Sequence, residues 1–389
     1  MRSRHRIASH RLAAAVGLLV GAAAAPASFV ACSTPSTSVD GGDLMGVYER
    51  DGGAGDADAD AKPLKDGGKN KDAKNALVTP GPTRERKPVT GTCVAKQGEP
   101  DHELRRVLGR PACRSEQILE SRDADGSPRY ACVMMQGAET RAPLPLIVLF
   151  HGPEGTPAQI DKRSNWKKLA AKFDMTGDPA HQGFVVLMPQ GRLLRRDRSG
   201  AIFDTDYIGD GNVDVDTVDA FVADLTKKGL VDARRVYAIG ESKGGRMAAT
   251  WAMLRADKVA AFATFGSDAP PAAWTCTDSP PPPALLMYRA CDSVTSCDSV
   301  EEWVRAREKA TAETVAIRLG EGNQEELHCA LRNKCTKNKG AANHERWPKG
   351  REEDILRFLA KHALSADATP PAPTTEAPAP SGTASDAPP

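Results

Sequence analysis

Residues 234–252, RRVYAIGESKGGRMAATWA, carry the pattern that constrains the fold most strongly. An apolar run ends at Gly240, and a run of helix-forming residues follows the next pair of glycines. Between the two runs, residues 240–244 fit G-x-S-x-G, which is typical of a sharp strand-to-helix turn that exposes a serine hydroxyl. The pattern alone is common by chance in a chain with 34 glycines, so the surrounding strand and helix give it weight. We predict that Ser242 is a nucleophile at the carboxyl end of a buried strand, against the alternative of a filler in an ordinary glycine turn.

The sequence on both sides of this turn alternates between strand and helix patterns. Residues 143–152, PLPLIVLFHG, form an apolar run of the kind found in strands that are buried on both faces. Residues 156–173 predict a single long helix, and residues 116–136 contain two apolar stretches around an Asp-Gly turn signal, which predicts an antiparallel hairpin. We expect a three-layer α/β domain whose mostly parallel sheet carries this antiparallel N-terminal hairpin.

The two ends of the chain differ in composition from its middle. Residues 1–31 combine a basic start with an alanine-rich apolar run, the pattern of a secretory signal peptide. Residues 32–90 and 365–389 contain few branched apolar or aromatic residues, so we predict a disordered tether and a disordered Pro/Ala/Thr-rich tail. Residues 91–364 are the predicted catalytic domain.

The processing of the N-terminal segment is open from sequence. Ala25 and Ala27 form an A-x-A cleavage site, which would release a secreted protein. Residues 29–32, FVAC, resemble the lipobox of bacterial lipoproteins, in which the cysteine, here Cys32, takes the lipid. We favour lipidation, because an unmodified Cys32 would leave an odd cysteine in the mature chain. A retained transmembrane helix ranks last. The prediction is an exported lipoprotein of the periplasm or cell surface, or otherwise a secreted protein.

The charge balance gives no sign of a nucleic-acid partner. The 389 residues include 52 Lys and Arg against 51 Asp and Glu, so no overall field attracts a polyanion, and contact with a membrane is expected only through the lipid. The nine cysteines contain no paired C-x-x-C pattern, which indicates an oxidising compartment rather than a zinc site. Residues 204–216, DTDYIGDGNVDVD, lack the glycine and glutamate of an EF-hand, so we predict a surface loop there. No metal and no cofactor are expected.

A nucleophilic serine needs a histidine base and a carboxylate that orients it. In this fold the acid and then the base follow the serine along the chain, each after a later strand. Asp292 follows the predicted strand at residues 284–290, and His344 lies in the predicted loop before the last helix, so we assign them as acid and base. The competing candidates are the acids Asp268 and Asp298 and the bases His328 and His362. The last of these is expected to be solvated.

Residues from about 129 to 362 resemble the polyhydroxybutyrate depolymerase and feruloyl esterase group of α/β-hydrolases. The resemblance is carried by the PLPLIVLFHG strand, by residues 214–248 (DVDTVDAFVADLTKKGLVDARRVYAIGESKGGRMA), by the acid in YRACDSV and by HERWP. It implies the three-layer α/β-hydrolase fold. The triad of the group, carried over to this sequence, is Ser242, Asp292 and His344.

The resemblance also implies two backbone N–H groups that stabilise the oxyanion of the intermediate. One is that of Lys243, directly after the nucleophile. The other belongs in this group to the residue after the His-Gly pair, which is here Pro153 and has no N–H. The second donor therefore falls to Gly152, Glu154 or Gly155, or is missing.

These residues predict an exported serine hydrolase that cleaves small or polymeric carboxylic esters, of the feruloyl, acetyl or hydroxyalkanoate type, through an acyl-enzyme. Two alternatives stay open. A serine peptidase of the prolyl oligopeptidase type shares the nucleophile turn, but it normally carries a propeller domain for which the predicted tether leaves no room. A non-catalytic surface protein on the same scaffold is the other alternative, and Pro153 favours it. The oligomeric state is open.

The eight cysteines other than Cys32 predict disulfides. Their positions favour two short rings, Cys291–Cys297 around the acid and Cys329–Cys335 before the base. Short rings remove little entropy from the unfolded chain, so we expect these bonds to hold the catalytic loops more than to stabilise the whole fold.

Overall fold

The computed structural model describes residues 83–84, 93–104, 108–113, 117–136, 141–196, 200–277, 279–330 and 335–366. The predicted signal peptide, the predicted lipidation site Cys32, the tail beyond residue 366 and most of the predicted tether lie outside these ranges. Within the ranges, no helix combines the length and the apolar character needed to cross a lipid bilayer.

An eight-stranded sheet forms the centre of the described structure. The strands are β1 (Gln117–Arg122), β2 (Pro128–Met134), β3 (Leu144–Phe150), β4 (Val185–Pro189), β5 (Val231–Glu241), β6 (Ala261–Phe265), β7 (Ala284–Arg289) and β8 (Thr314–Leu319). Their order across the sheet is β1-β2-β4-β3-β5-β6-β7-β8. β2 pairs antiparallel with both β1 and β4, and the strands from β4 to β8 are parallel. The predicted parallel sheet with its antiparallel N-terminal hairpin is confirmed.

Helices cover both faces of this sheet. They are α1 (Pro157–Arg163), α2 (Trp166–Ala170), α3 (Val213–Lys227), α4 (Lys243–Leu254), α5 (Cys297–Lys309), α6 (Lys337–Glu345) and α7 (Glu352–Leu359). α3, α4 and α5 pack with one apolar cluster, which includes Leu146 and Val148, whereas α1, α2 and α7 pack with a second, which includes Ile147 and Leu149. Successive side chains of a strand point to opposite faces, so β3 contributes to both clusters and is buried throughout. The result is a three-layer α/β-hydrolase fold.

The single helix predicted for residues 156–173 is two short helices in the structure. Ser164, between them, has an extended backbone, and its hydroxyl donates to Ile160 O at 2.8 Å. The N–H of the next residue, Asn165, donates to the Glu352 carboxylate at 3.1 Å rather than into a helix. Serine and asparagine break helices in this way because such alternative partners compete with the helical hydrogen bond, and the prediction of one helix was wrong.

Residues 204–216, predicted as a surface loop, are largely buried beside the sheet. Asp204 and Asp214 are each 4% exposed. Asp214 accepts two hydrogen bonds from the Arg192 guanidinium, at 2.8 and 2.9 Å, and Asp204 accepts from two backbone N–H groups. Burial alone would lower the pKa of Arg192, but the Asp214 carboxylate outweighs it and the pKa is raised. These carboxylates therefore accept hydrogen bonds from groups within the protein, and the surface-loop prediction was wrong.

The described cysteines form four disulfides, and two of them contradict the predicted pairs. The bonds are Cys93–Cys276, Cys113–Cys132, Cys291–Cys335 and Cys297–Cys329. The segment after β7 and the segment before α6 lie side by side, with the Ala330 N–H donating to Ala290 O at 3.0 Å. Cysteines on one segment therefore bond to the other segment, and the short rings Cys291–Cys297 and Cys329–Cys335 were wrong.

Candidate active site

The strand-to-helix turn places Ser242 between the end of β5 and the start of α4. Its backbone has φ 52° and ψ −128°, a conformation that costs a residue with a side chain about 1–3 kcal/mol. A Cβ at Gly240 would lie 2.1 Å from Gly244 O, and a Cβ at Gly244 would lie 2.3 Å from His151 O. Neither distance leaves room for a side chain, so both glycines of the motif are required by the close approach of strand, helix and neighbouring loop.

The structure brings the predicted residues Ser242, Asp292 and His344 together. His344 Nε2 lies 2.9 Å from Ser242 Oγ, and His344 Nδ1 lies 2.8 Å from Asp292 Oδ2. The side chains of His344 and Asp292 are 9% and 1% exposed. These distances fit a histidine that donates from Nδ1 to the carboxylate and accepts the serine hydroxyl at Nε2. His344 lies in the last turn of α6 and not in a loop, which corrects the prediction of its setting.

The Asp292 carboxylate is held on its other oxygen as well. Oδ1 accepts from the N–H groups of Val294 and Thr295 at 2.8 and 2.9 Å. The Thr295 hydroxyl donates to Gly266 O at 2.9 Å, which joins the loop after β7 to the end of β6. Gly266 has φ +55°, and a Cβ there would lie 3.4 Å from His344 Nδ1. Asp292 and His344, the predicted acid and base, therefore share one closely packed region at the carboxyl edge of the sheet.

The acids and bases that compete with Asp292 and His344 in the sequence lie in other environments. Asp268 pairs with Arg246 at 3.3 Å, and Asp298 lies in the first turn of α5. His328 is exposed. His362, predicted to be solvated, is 8% exposed, and burial lowers its pKa to about 4, so that prediction was wrong.

The loop after β3 also lies close to Ser242. A Cβ placed on Gly152 of this loop would be 3.5 Å from Ser242 Cβ. His151 fixes this loop. Its Nδ1 lies 2.7 Å from Gly152 O, and its Nε2 accepts the Gly191 N–H at 3.0 Å. The ring is 1% exposed, and burial lowers its pKa to about 4. His151 is therefore neutral at pH 7, with Nδ1–H as the donor and Nε2 as the acceptor.

Glu241 links the same loop to α1. This residue directly precedes the nucleophile, is 6% exposed and forms an ion pair with Arg163. Burial raises the pKa of the Glu241 carboxyl, and the charge of Arg163 and a backbone hydrogen bond from Gly152 oppose that rise. One carboxylate thus connects helix α1, the β3 loop and the nucleophile turn.

The predicted oxyanion donors have different surroundings. Lys243 is the first residue of α4, directly after Ser242. The Gly152 N–H is directed to the Glu241 carboxylate, and the Gly155 N–H donates to Gly152 O at 3.1 Å. Glu154 is exposed and has φ 56°. Of the three loop N–H groups considered from sequence, that of Gly155 therefore has a hydrogen-bond partner within its own turn, and that of Gly152 lies near the Glu241 carboxylate.

Sequence reasoning did not single out His151 or Glu241. The available signals were the position of His151, which is the first polar residue after an apolar strand, and that of Glu241, which is an acid inside the nucleophile motif. Both signals are local, but their meaning depends on contacts with Gly191 and Arg163, which lie far away along the chain.

An open depression of about 630 Å³ borders the loop after β7. Arg246 lines it, and the backbone N–H of Arg246 donates to Ser242 O. Trp303 and Ala306 of α5 give the depression an apolar part, and Asp268 and Glu302 give it a polar part. It begins one helical turn from the nucleophile.

No family model matches the chain. NocK of Nocardia uniformis subsp. tsuyamanensis, whose name describes it provisionally as an esterase, is 29% identical over 173 residues. That match spans 44% of this chain and only 45% of NocK, less than half of the length of that relative.

Two solved structures illustrate the likeness in three dimensions. A thermostable esterase is 16% identical, with a TM-score of 0.45 and coverage of 64% of this chain and 63% of that one. Esterase Est2 of Thermogutta terrifontis, with propionate bound, is 14% identical, with a TM-score of 0.43 and coverage of 66% and 98%. The fold assignment depends on the strand order and connections described above rather than on these scores.

Proposed function

We propose that this protein is an exported serine hydrolase that cleaves carboxylic esters through an acyl-enzyme. The observation that carries the proposal is the hydrogen-bonded series from Ser242 through His344 to Asp292, with the serine on a strained turn. A serine hydroxyl becomes nucleophilic when an adjacent base of fixed orientation can take its proton. The partial match to NocK supports ester chemistry.

In the proposed reaction, Ser242 Oγ attacks the ester carbonyl carbon while its proton passes to His344 Nε2. Asp292 orients the imidazole and stabilises the imidazolium that forms. The bond between the carbonyl carbon and the alcohol oxygen then breaks, and the alcohol leaves with the proton from His344. Water attacks the acyl-enzyme, gives a proton to His344, and releases the acid as Ser242 regains its hydrogen.

For the oxyanion we propose the backbone N–H groups of Lys243 and Glu154. Pro153 has no N–H, the Gly152 N–H is directed to Glu241, and the Gly155 N–H donates within its own turn. Glu154 is therefore the candidate that the loop geometry favours. The loss of one such donor typically costs a hundredfold to a thousandfold in turnover, so its position bears directly on the rate.

The proposed substrates are feruloyl, acetyl or hydroxyalkanoate esters, small or polymeric. The depression beside Arg246 supports such substrates, because it offers apolar surface on Trp303 next to charged groups.

We also propose that residues 1–31 direct export and that Cys32 carries a lipid. Cys32→Ala should move the protein from the membrane fraction to the soluble fraction, and unchanged fractionation would contradict lipidation.

The test of the reaction uses Ser242→Ala with Ser267→Ala as the matched control. Ser267 is buried next to the turn, but its hydroxyl donates to Asp268 O rather than to a histidine. Wild type and Ser267→Ala should hydrolyse p-nitrophenyl esters and react with a fluorophosphonate probe. Ser242→Ala should lose both properties, with turnover lower by at least about a thousandfold and an unchanged circular dichroism spectrum. Retained hydrolysis in Ser242→Ala would overturn the triad.

A panel of esters and peptides separates the remaining alternatives. Preference for peptide substrates would favour the peptidase, and a wild-type protein that neither labels nor turns over esters would favour the non-catalytic scaffold. Among the esters, comparison of feruloyl, acetyl and hydroxyalkanoate substrates identifies the acyl group.

A further inference from the structure

Arg289, the last residue of β7, is a buried arginine whose partners are mostly backbone carbonyl groups. Its exposure is 0%, and it forms no ion pair with a carboxylate in the described parts of the chain. Its guanidinium donates to Asn343 O, Arg346 O, Gly320 O, Gly322 O and Asn323 Oδ1. Burial lowers its pKa to about 10; the charge of Arg346 adds to this effect and the charge of Asp292 opposes it, and the group stays charged at pH 7.

Two of these acceptors flank His344. Asn343 O lies 3.0 Å from the Arg289 Nε, and Arg346 O lies 2.9 Å from one of its terminal nitrogens. They belong to the end of α6, where Asn343 O also accepts the Arg346 N–H at 3.3 Å and where positive charge is favoured. The planar guanidinium, with donors in a fixed geometry, therefore holds the carbonyls on both sides of the base.

The same side chain also contacts the strand end that orients the nucleophile. The Arg289 guanidinium lies 5.5 Å from the centre of the Phe265 ring, and Phe265 O accepts the Ser242 N–H at 2.9 Å. In addition, the side-chain amide of Asn343 donates to Cys291 O at 2.8 Å, next to the acid. The contacts of Arg289 thus connect the base helix with the ends of β6 and β7.

We propose that Arg289 is a positioning residue that sets the place of His344 relative to Ser242 and thereby the rate of turnover. This inference rests on the proposed function. The carbonyls that Arg289 binds lie beside the base rather than on it, so the residue acts through the backbone of α6. A displacement of a base by a fraction of an ångström is enough to slow a reaction steeply.

Arg307 is a matched control at the other end of the sheet. It is 5% exposed, lies 5.0 Å from the centre of the Phe262 ring, and donates to backbone oxygens of Pro282 and Glu313. Burial lowers its pKa to about 10, as for Arg289. Pro282 lies two residues before β7 and Glu313 directly before β8, so both acceptors lie at the amino ends of the strands, away from the edge that carries the triad.

The experiment compares Arg289→Met, Arg289→Lys and Arg307→Met in the full chain. It measures kcat and KM for p-nitrophenyl acetate, denaturant midpoints, and hydrogen exchange of residues 337–345. Arg289→Met should lower kcat by at least about tenfold with KM within about threefold, because the base is displaced and the binding surface is not. Arg289→Lys should also lose turnover, since an ammonium cannot reproduce the planar fork. Arg307→Met should lose stability but keep kcat within about twofold.

Exchange protection of residues 337–345 should fall in both Arg289 variants and not in Arg307→Met. This readout does not need activity, so an inactive wild type would count against the proposed function while the exchange data still test the positioning role. Wild-type kcat and wild-type exchange in Arg289→Lys would overturn the inference. The inference would also be overturned if Arg307→Met lost as much kcat and as much exchange protection as the Arg289 variants. If Arg289→Met does not fold, Arg289→Lys decides.

Discussion

The two sides of Ser242 are held in place by different kinds of interaction. On the acid–base side, Asp292 and His344 come from segments 52 positions apart, and the disulfides Cys291–Cys335 and Cys297–Cys329 join those segments covalently. On the oxyanion side, the loop after β3 is held by the neutral His151 and by the Glu241–Arg163 ion pair.

This difference separates two kinds of sensitivity. The acid–base side depends on the redox state of its cysteines, because reduction would break the two bonds that join its segments. The oxyanion side depends on the protonation of a histidine and a glutamate, and both carry pKa values displaced by burial. We therefore expect reducing conditions and acid to weaken different sides of the same site.

The largest effect is expected at the acid. Asp292→Asn keeps an oxygen for the N–H groups of Val294 and Thr295, so the loop should fold as before. The amide cannot hold the required tautomer of His344, and kcat should fall about ten-thousandfold. Steady-state kinetics and a denaturant melt give the two values. Asp268→Asn and Asp298→Asn are matched controls with the same chemical change. A larger loss of kcat in either variant than in Asp292→Asn would assign that residue as the acid instead.

The next effect concerns the disulfides. Cys297→Ser with Cys329→Ser opens the inner of two nested rings. Because Cys291–Cys335 stays closed and still connects these positions through a path of about 12 residues, the free energy of unfolding should fall by about 3 kcal/mol on the chain-entropy relation. This loss of unfolding free energy should be the same at pH 7 and pH 5, which distinguishes the acid–base side from the pH-dependent oxyanion side. Denaturant melts measure it. Cys113→Ser with Cys132→Ser, whose ring spans 19 positions, is the control and should cost about as much, roughly 3 kcal/mol. A loss below about 1 kcal/mol would mean that the reduced chain keeps the segments together.

Acid should weaken the oxyanion side. The unfolded chain protonates His151 near pH 6.5, whereas the folded protein does so only near pH 4. The contribution of His151 to stability is therefore complete above pH 6.5 and falls by about 3 kcal/mol as the pH drops to 4. Melts between pH 4 and 8 measure the slope. His362→Gln is the control. It removes the similar pH-dependent contribution to stability of the other buried histidine, and it leaves the loop after β3 intact. A His151 ring that titrates near pH 6.5 by NMR would refute this account.

The smallest effect is expected for Glu241→Gln. The amide loses the charge that binds Arg163 and that interacts with His344, so the loop should loosen while the His344–Asp292 and His344–Ser242 contacts stay in place. We expect kcat to fall about tenfold with little change in KM, which is less than the loss of an oxyanion donor. Glu308→Gln, an exposed acid of α5 that does not line the depression, is the control for the charge change. Equal kinetics in the two variants would remove Glu241 from the oxyanion side.

The sequence predicts the nucleophile turn well because its evidence is local. A strand, two sterically required glycines and a helix stand next to Ser242 in the chain, and the order of Asp292 and His344 then follows from the fold. The disulfides could not be predicted in this way. Which cysteine meets which depends on the alignment of the segment after β7 with the segment before α6, and the spacing of Cys291 and Cys297 does not contain that alignment.

The same limit explains the other corrections. Asp204 and Asp214 look like surface acids until Arg192 and two backbone N–H groups are placed around them. His362 follows α7 directly after Lys361, and its burial depends on the layer that packs over it. Long-range partners decide whether a polar residue is solvated, and a single sequence does not give those partners.

The Cys93–Cys276 bond also defines how the molecule carries mechanical load. The two cysteines are 183 positions apart, and the strands β1 to β6 together with Ser242 lie between them. A pull on the amino end first loads the contacts of Arg84 with Ala256, Val259 and Ala363. Beyond them, the covalent path runs through the sulfur bridge to residue 276 and bypasses the strands between the cysteines. Tension can lengthen the chain only beyond that point, where the nested Cys291–Cys335 and Cys297–Cys329 bonds stop the extension again. Held by its amino end under flow or shear, the oxidised protein would keep its nucleophile turn in an unloaded part of the chain, whereas the reduced protein would be peeled apart from β1 onward.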